Sequence, residues 1–389
     1  MAEAKMEEAI ITDEMIEEMR KKIGLKLRVE KSVFNDEVSR LPLLKFADGI
    51  GDANPLWHDA EYAAKTRFGR LVAPPSWVIG CFSGAQFGWR GLGGFHSGTE
   101  IEFYKPALLG DKISAESIFD GFEGPKSSKF ADRMVIDYFT NNYYNQHADL
   151  VSRAKWYVIR IERKKAKETG KYSNIELPHP WSEEELIKIE EEVLAEEIRG
   201  ATPRYWEDVK IGESLKPVIK GPFGLTDMIA YIIGGGVPIP RLKAHGSQLR
   251  EYRKHPAWSF RDPNTGALEP IFAVHYNTEA AKAMGLPFPY NAGWQSHCWQ
   301  THLLTNWMGD DGWLKKSQAQ YRGFVYFSDV VWFRGEVVDK YIDEQGEHCV
   351  AIKTSGINQR DEDVLPGSAI IALPSREKKA GPLDSRLSQ

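Results

Sequence analysis

The sequence has only three cysteines in 389 residues, Cys81, Cys298 and Cys349, and their spacing fits neither a disulfide framework nor a zinc knuckle. No apolar run approaches the roughly 20 residues that a membrane-spanning helix needs. The amino-terminal segment is acidic and lacks the apolar core of a signal peptide. These absences predict a protein of the reducing cytoplasm that is neither exported nor anchored in a membrane.

Positive charge is not concentrated in any part of the chain. The 50 Lys and Arg residues are outnumbered by 55 Asp and Glu, which gives a net charge of -5. This balance argues against nucleic acid as the main partner. Apolar residues make up 42% of the chain, with 12 Trp and 15 Tyr, so a substantial core is expected. The length suits two domains of about 150 to 200 residues each.

The two halves of the chain repeat each other. His58 and His275 are each followed five residues later by Ala-Ala-Lys, and both segments then reach a glycine, a proline-containing turn and a tryptophan. Further along, Asp111 lies 53 residues after His58, and Asp329 lies 54 residues after His275. Matched spacing over half a domain predicts two copies of one fold.

Each copy has the same predicted order of elements. A helix that ends in glycine comes first, followed by the histidine-bearing turn, a short helix, a long apolar helix and several strands with alternating apolar residues. The long helix is predicted over 76–88 in the first copy and over 293–309 in the second. One long helix followed by antiparallel strands is typical of an α+β fold in which a sheet wraps around a buried helix.

The sequence divides into four predicted parts. They are a first copy at 1–165, a charged linker helix at 166–203, a second copy at 204–375 and a mobile tail at 376–389. In the linker, Ser182 and Glu185 form a capping box, and Gly200 is predicted to end the helix. We interpret this helix as packed on the two copies; the alternative is an acidic helix that binds a partner.

Two segments resemble a known family, the MaoC-like hydratases and dehydratases of acyl-CoA thioesters. The stretch GDANPLWHD, at 51–59, is similar to the family's Asp-x-Asn-Pro-Leu-His segment, and AMGLPFPYNAGW, at 283–294, is similar to the turn that enters its central helix. The resemblance implies the hotdog fold, here as a double hotdog. It also implies reversible hydration of a trans-2-enoyl-CoA to a 3-hydroxyacyl-CoA, commonly of R configuration. CoA then enters as part of the substrate, and no other cofactor is implied.

The resemblance also implies the parts of an active site: an Asp and a His that share one water, and a backbone amide at the start of the central helix that holds the thioester oxygen. In the second copy His275 occupies the family's histidine position and Gly293 stands at the helix start, with Asn291 and Trp294 beside it as substrate-binding residues. The family's Asp is missing five residues before His275. The partner carboxylate is therefore left open among Glu269, Asp262 and a residue of the first copy.

The first copy departs from the family pattern in another way. Asp52 is in place, but Trp57 occupies the family's histidine position and His58 follows one residue later. Because successive side chains of an extended turn point in opposite directions, this shift turns the imidazole away. Asp52 and His58 are thus either a working acid/base pair or parts of a structural turn. His297 and His302, five residues apart, are expected to pack or to line a pocket, and no metal site is predicted.

Three functions remain open from the sequence. The first is a complete hydratase or dehydratase for a bulky or ring-bearing acyl group, as in fatty acid or steroid-type degradation. The second is a non-catalytic or partner-dependent subunit that binds acyl-CoA, since neither copy keeps an intact Asp/His motif. The third is a hotdog thioesterase, with Asp52 as the nearest candidate carboxylate. The fold does not separate these three functions, because one fold can carry several of them. A homodimer and a hetero-oligomer with another hotdog or pathway protein both fit the sequence.

Overall fold

A computed structural model describes residues 9–29, 35–82, 87–127, 133–162, 175–235, 242–378 and 381–387. The predicted boundary between the first copy and the linker, at 165/166, lies outside these residues. Within the described ranges, no helix is both long enough and apolar enough to cross a membrane.

One antiparallel sheet runs through both copies. The first copy contributes β1 (Lys26–Leu27), β2 (Gly93–Phe103), β3 (Ser114–Lys126), β4 (Met134–Tyr144) and β5 (Leu150–Ile161). The second copy contributes β6 (Val218–Lys220), β9 (Trp313–Gln320), β10 (Val331–Ile342), β11 (His348–Asn358) and β12 (Gly367–Ala372). In spatial order the ten described strands are β1, β3, β4, β5, β2, β9, β12, β11, β10 and β6. The copies join where β2 pairs with β9, from Gly98 opposite Gln320 to Glu102 opposite Lys316.

A separate hairpin, β7 (Ser259–Arg261) and β8 (Leu268–Pro270), precedes His275 in the second copy. The helices of the first copy are α1 (Asp13–Arg20), α2 (Arg40–Ile50), α3 (Pro55–His58), α4 (Ala60–Lys65) and α5 (Val78–Cys81). The remaining helices are α6 (Glu183–Leu194), α7 (Leu225–Ile233), α8 (His245–Lys254), α9 (Thr278–Ala283), α10 (Gly293–Met308) and α11 (Asp384–Leu387).

The internal duplication predicted from the sequence is confirmed at equivalent turns. Asp111 accepts a hydrogen bond from the backbone N–H of Leu108 at 2.8 Å, and Asp329 accepts one from that of Tyr326 at 2.9 Å. Both aspartates therefore close an equivalent four-residue turn before a strand of their own copy. The α+β double hotdog is the fold that the structure shows.

The two copies differ in their central helices. In the second copy α10 is 16 residues long, and every residue after Gly293 is buried. In the first copy the predicted helix over 76–88 is wrong: a 3₁₀ turn at Pro75–Trp77 leads into α5, and Phe82 is already extended. Glycines and β-branched residues make this stretch a poor helix former. Instead α1 packs Ile16 and Met19 onto the strands of the first copy.

The linker helix α6 begins with the predicted capping box of Ser182 and Glu185. Its buried face, centred on Ile189, packs against Ile219 and Val330 of the second copy. The helix ends at Leu194, however, so the prediction that it continues to Gly200 is wrong. The residues after Leu194 leave the helix and turn towards the interior.

The tail predicted to be mobile is instead packed in the parts that the structure describes. Leu383 is fully buried in the main core, and Arg386 forms an ion pair with Glu347 on the second copy. An apolar anchor together with a paired guanidinium explains why this polar segment folds back on the sheet.

The contact between α2 and α7, one helix from each copy, is expected to be sensitive to one added methyl group. A Cβ at Gly49 of α2 would lie 2.7 Å from the backbone oxygen of Ala230 in α7. We therefore expect Gly49→Ala to lower the free energy of unfolding by about 1 to 3 kcal/mol, the usual cost of overpacking. Urea unfolding at pH 7 measures this change.

The matched control is Gly246→Ala in α8, where a Cβ meets only the flexible Arg250 side chain, at 3.5 Å. Alanine is the better helix former, so this variant should be as stable as the wild type or more stable by up to about 1 kcal/mol. Equal stability of Gly49→Ala and the wild type would show that the α2–α7 contact is looser than described.

Candidate active site

His275 lies at the end of a 3₁₀ helix, Ile271–His275, close to the start of α10. Its Nδ1 lies 2.9 Å from the backbone oxygen of Tyr290. Because a carbonyl oxygen can only accept, Nδ1 carries the proton and donates it to this bond. Burial lowers the pKa of His275 to about 4, so the imidazole is neutral at pH 7 and keeps a lone pair on Nε2.

The start of α10 follows three residues after Tyr290. The backbone N–H groups of a first helical turn have no acceptor within the helix, and the helix dipole makes this end positive. Gly293 is partly exposed there, whereas Ala292 and Trp294 on either side are buried. A Cβ at Gly293 would lie 2.8 Å from the ring of Tyr321. Packing alone thus requires glycine at this position, whether or not its amide contacts a substrate.

The other residues expected beside Gly293 are fixed by the fold. Asn291 donates through Nδ2 to Ser296 Oγ at 2.6 Å, and its backbone N–H donates to Val325 at 2.8 Å. The indole Nε1 of Trp294 is buried and has no hydrogen-bond partner among the described residues. Asn291 therefore holds the turn that leads into α10, while Trp294 packs on the first turn of the helix.

No carboxylate of the described residues hydrogen-bonds His275. Asp262 accepts from Asn277 at 2.7 Å and from the backbone N–H of Asn264 at 2.8 Å, so it is used to hold its own loop. Glu269, in β8, is the remaining nearby candidate in the sequence. Burial raises its pKa, and the charge of Asp262 raises it further. A carboxyl group with a raised pKa has the property required of a proton donor.

In the first copy, Asp52 and His58 lie in one turn, but their side chains do not pair. Nε2 of His58 donates to the backbone oxygen of Asp52 at 2.7 Å. The Asp52 carboxylate accepts from the backbone N–H of Asn54 at 3.0 Å. These contacts hold the turn together, and they leave no hydrogen bond between the imidazole and the carboxylate.

Asp52 instead faces the central helix of the second copy. Its Oδ1 lies 3.5 Å from Nε2 of His302, and that nitrogen donates to Glu196 at 2.7 Å. Asn306, one turn further along α10, also donates to Glu196, at 2.9 Å. Asp52 and His302 are 2% and 1% exposed. A turn of the first copy, the linker and α10 therefore meet in one buried polar cluster, the Asp52–Glu196–His302 cluster.

This cluster is separate from His275. His302 lies nine residues after Gly293, which corresponds to about 14 Å along the helix axis. The structure thus brings Asp52 to the middle of α10 and His275 to its beginning. Glu196 was not identified from the sequence, because no local signal separates it from the neighbouring glutamates of the linker.

His297 forms a second polar connection between the copies. Its Nε2 lies 2.8 Å from Ser317 Oγ, and its Nδ1 lies 3.2 Å from the hydroxyl of Tyr321. The same hydroxyl donates to Thr99 of the first copy at 3.0 Å. Burial and, to a smaller extent, the charge of His96 lower the pKa of His297 to about 3, so His297 is neutral at pH 7. In the described part of the chain, no group of three or more His, Cys, Asp or Glu side chains is arranged to hold a metal ion.

Solved structures with the same architecture define the class of fold. A MaoC-like dehydratase superimposes with a TM-score of 0.63 at 14% identity, over 92% of this chain and 100% of that one. A conserved hypothetical protein of Mycobacterium tuberculosis with a double hotdog fold gives 0.51 at 11% identity, over 90% and 96% of the two chains. A MaoC-like dehydratase from Phytophthora capsici gives 0.50 at 11% identity, over 91% and 100%. These similarities confirm the double hotdog.

Sequence comparison finds similarity over parts of the chain. Residues 23–153 match the family described as "FAS1-like, dehydratase domain region". A UPF0336 protein of Streptomyces coelicolor is 27% identical over 104 residues, which are 25% of this chain and 69% of that protein. A protein of Thermomonospora curvata named "Probable enoyl-CoA hydratase alpha subunit" is 22% identical over 161 residues, 36% of this chain and 50% of its own length. The resemblance to MaoC-like dehydratases noted in the sequence is confirmed.

The Asp52–Glu196–His302 cluster should make stability depend on pH. Burial by itself raises the pKa of Glu196, but the hydrogen bond and charge of His302 outweigh it and hold this pKa at about 2. A lowered pKa stabilises the fold above about pH 4.5, and this stabilisation is lost as the pH falls towards 2. We expect Glu196→Gln to lose up to about 3 kcal/mol of unfolding free energy at pH 7.

The difference in unfolding free energy between Glu196→Gln and the wild type should shrink as the pH falls from 5 to 2.5. Urea unfolding at a series of pH values measures it. Glu197→Gln is the control, because Glu197 is exposed and pairs only with the surface residue Lys216. If both variants lose the same stability at every pH, the buried cluster does not hold the copies together.

Proposed function

We propose that the protein is a hydratase or dehydratase of acyl-CoA thioesters, which adds water to a trans-2-enoyl-CoA or removes it from the 3-hydroxyacyl-CoA. The observation that carries this proposal is the neutral imidazole of His275, held by Tyr290 and placed beside the start of the buried helix α10. Base and oxyanion donors are thereby provided by adjacent segments of one copy.

The reaction requires three groups. In hydration, Nε2 of His275 takes a proton from water as the water oxygen bonds to the β-carbon. Negative charge then develops on the thioester oxygen, where the free N–H groups at the first turn of α10, including that of Gly293, stabilise it. The α-carbon finally takes up a proton. We assign this proton to Glu269, whose pKa is raised by burial.

The partner-dependent alternative has one observation in its favour. Within the described residues no carboxylate hydrogen-bonds His275, and in this alternative a second protein supplies the acid in place of Glu269. A hetero-oligomer with another hotdog or pathway protein would then be required for activity, whereas the complete enzyme needs at most a homodimer. The thioesterase alternative is less well supported, because the Asp52 carboxylate is buried and occupied by Asn54 and His302.

Further parts of the proposal rest on the sequence. The R configuration of the product and the absence of any cofactor besides the CoA of the substrate follow from the resemblance. A bulky or ring-bearing acyl group in a catabolic pathway and a cytoplasmic location rest on the many tryptophans and on the few, unpaired cysteines. The assignment of Asn291 and Trp294 as substrate-binding residues stays a prediction. Asn291 holds the turn before α10 through its bond to Ser296, and Trp294 is buried in the first turn of the helix.

The activity test compares His275→Asn with the wild type on crotonyl-CoA and cinnamoyl-CoA, by following the loss of the conjugated thioester absorbance. Because general base catalysis contributes typically 10²- to 10⁴-fold, we expect kcat to fall by at least about 100-fold. Glu269→Gln should lower kcat with a smaller effect on KM, and its loss relative to the wild type should be largest at the acidic end of the pH profile, where the wild-type carboxyl group is protonated and can donate. Free thiol should not appear, since water is added and the thioester is kept.

His58→Asn is the matched control, because it changes the other turn histidine, whose imidazole bonds only a backbone oxygen. It should keep kcat within about threefold of the wild type. Loss of activity in His58→Asn with normal activity in His275→Asn would contradict the assignment. Activity of the wild type only after another protein is added would favour the partner-dependent subunit instead.

A further inference from the structure

The segment from 242 to the end of β7 is basic, although the whole chain has a net charge of -5. Its cations are Lys243, Arg250, Arg253, Lys254 and Arg261. It contains a single acidic residue, Glu251, and the next carboxylate along the chain, Asp262, is only 3% exposed. A local excess of positive charge on a weakly acidic protein marks a surface that attracts anions.

Three of these cations lie on the solvent side of α8. Arg250, Arg253 and Lys254 are spaced i, i+3 and i+4, so their Cβ atoms are neighbours about 5 to 6 Å apart. All three side chains are exposed, whereas Tyr252 on the opposite side of the helix is buried. One turn before Tyr252, Gln248 donates to a backbone oxygen of β8 at 3.0 Å. The helix is thus held on β8 by one face and presents its cations on the other.

The three cations have no carboxylate partner among the residues that the structure describes. Glu251, the acidic residue of α8, lies 3.5 Å from the ammonium group of Lys243. Arg250 donates to the hydroxyl of Ser247 at 3.5 Å, which supplies no charge. The helix dipole favours cations in the last turn, but like charges at this spacing repel each other. An anionic ligand would relieve this repulsion.

The buried side of α8 faces the segment that carries the proposed acid and base. Burial raises the pKa of Tyr252, and the charge of Glu269 adds to this against the bond from Gln248, so Tyr252 lies near Glu269. Burial also raises the pKa of Tyr276, the residue after His275, with smaller contributions from Glu269 and Tyr252. A helix with its side chains is about 10 to 12 Å across. The cations therefore lie roughly one helix diameter outside the proposed acid.

A stacked ring pair adjoins the cations. The imidazole of His255, directly after Lys254, lies on the indole of Trp258, with ring centroids 3.9 Å apart and an angle of 18° between the planes. His255 is exposed, so the indole covers one face of its ring and the other face is turned outwards. Flat rings beside cations are the combination with which proteins hold nucleotide bases together with their phosphates.

We propose that the outer face of α8 binds the phosphates of the CoA part of the substrate, through Arg250, Arg253 and Lys254, and that the adenine stacks on His255. This proposal rests on the proposed function, since it takes the substrate to be a CoA thioester. The pantetheine arm of CoA separates its phosphates from the thioester, which fits cations that lie one helix diameter outside Glu269. Arginine holds phosphate oxygens through paired N–H groups, and lysine acts as a point charge.

The first test measures binding of adenosine 3′,5′-bisphosphate, which carries the adenine and ribose phosphates of CoA but no thioester, to the full chain by calorimetry at low salt. A variant that combines Arg250→Gln, Arg253→Gln and Lys254→Gln should bind this nucleotide about tenfold more weakly, as the loss of three exposed ion pairs implies. Added salt should remove most of the difference from the wild type.

The charge-matched control combines Lys21→Gln, Lys65→Gln and Lys210→Gln, three exposed lysines in other parts of the chain. It should bind the nucleotide within about twofold of the wild type. The site would be overturned by an equal loss in both variants, by equal affinities of the wild type and the α8 variant, or by a wild type that does not bind the nucleotide.

The second test compares hydration of crotonyl-CoA with that of crotonyl-pantetheine, which lacks the nucleotide. The α8 variant should raise KM for crotonyl-CoA about tenfold with little change in kcat, and this loss should be absent with crotonyl-pantetheine. An equal rise in KM for both thioesters would contradict the phosphate site while leaving the hydratase intact. A wild type that hydrates neither thioester would contradict the proposed function, and binding of the nucleotide would then decide on the site by itself.

Discussion

The complete burial of α10 is the constraint on which the other features depend. All 15 residues after Gly293 are buried, although the helix carries His297, His302 and Asn306. Buried polar groups must be hydrogen-bonded, and an α-helix offers its own side chains few partners. The partners come from elements that are distant in sequence: Ser317 and Tyr321 after the helix, Glu196 in the linker and Asp52 in the first copy. The helix thereby determines how the two copies and the linker are joined.

The same constraint explains why the two copies have diverged. Asp52 stands where the resemblance places a catalytic aspartate, but the contact with His302 makes it part of the joint between the copies. His275 does not take part in this joint. It hydrogen-bonds a backbone oxygen and lies beside the start of α10. In this account the second copy keeps the chemistry, while the first copy contributes stability. The bond of Nε2 in His58 to a backbone oxygen fits this division.

Much of the fold could be predicted from the sequence. Repeated spacing revealed the duplication, and the equivalent turns at Asp111 and Asp329 confirm it. Local signals also gave the capping box of α6. The two failures have different causes: Phe82 is extended because glycines and β-branched residues outweigh the apolar pattern that favoured a helix, and the tail is held by the tertiary contacts of Leu383. The role of Glu196 could not be found, since its partners lie more than 100 residues away.

The central claim is that His275 is the neutral general base beside the start of α10. The most direct measurement is the ¹⁵N NMR signal of its imidazole, assigned with a His275→Asn variant and followed over pH and on addition of crotonyl-CoA. The account predicts a neutral ring protonated on Nδ1, a pKa of about 4 and a change at Nε2 when the thioester binds. A ring that titrates near its ordinary pKa of about 6.5, or one that does not respond to the thioester, would contradict it.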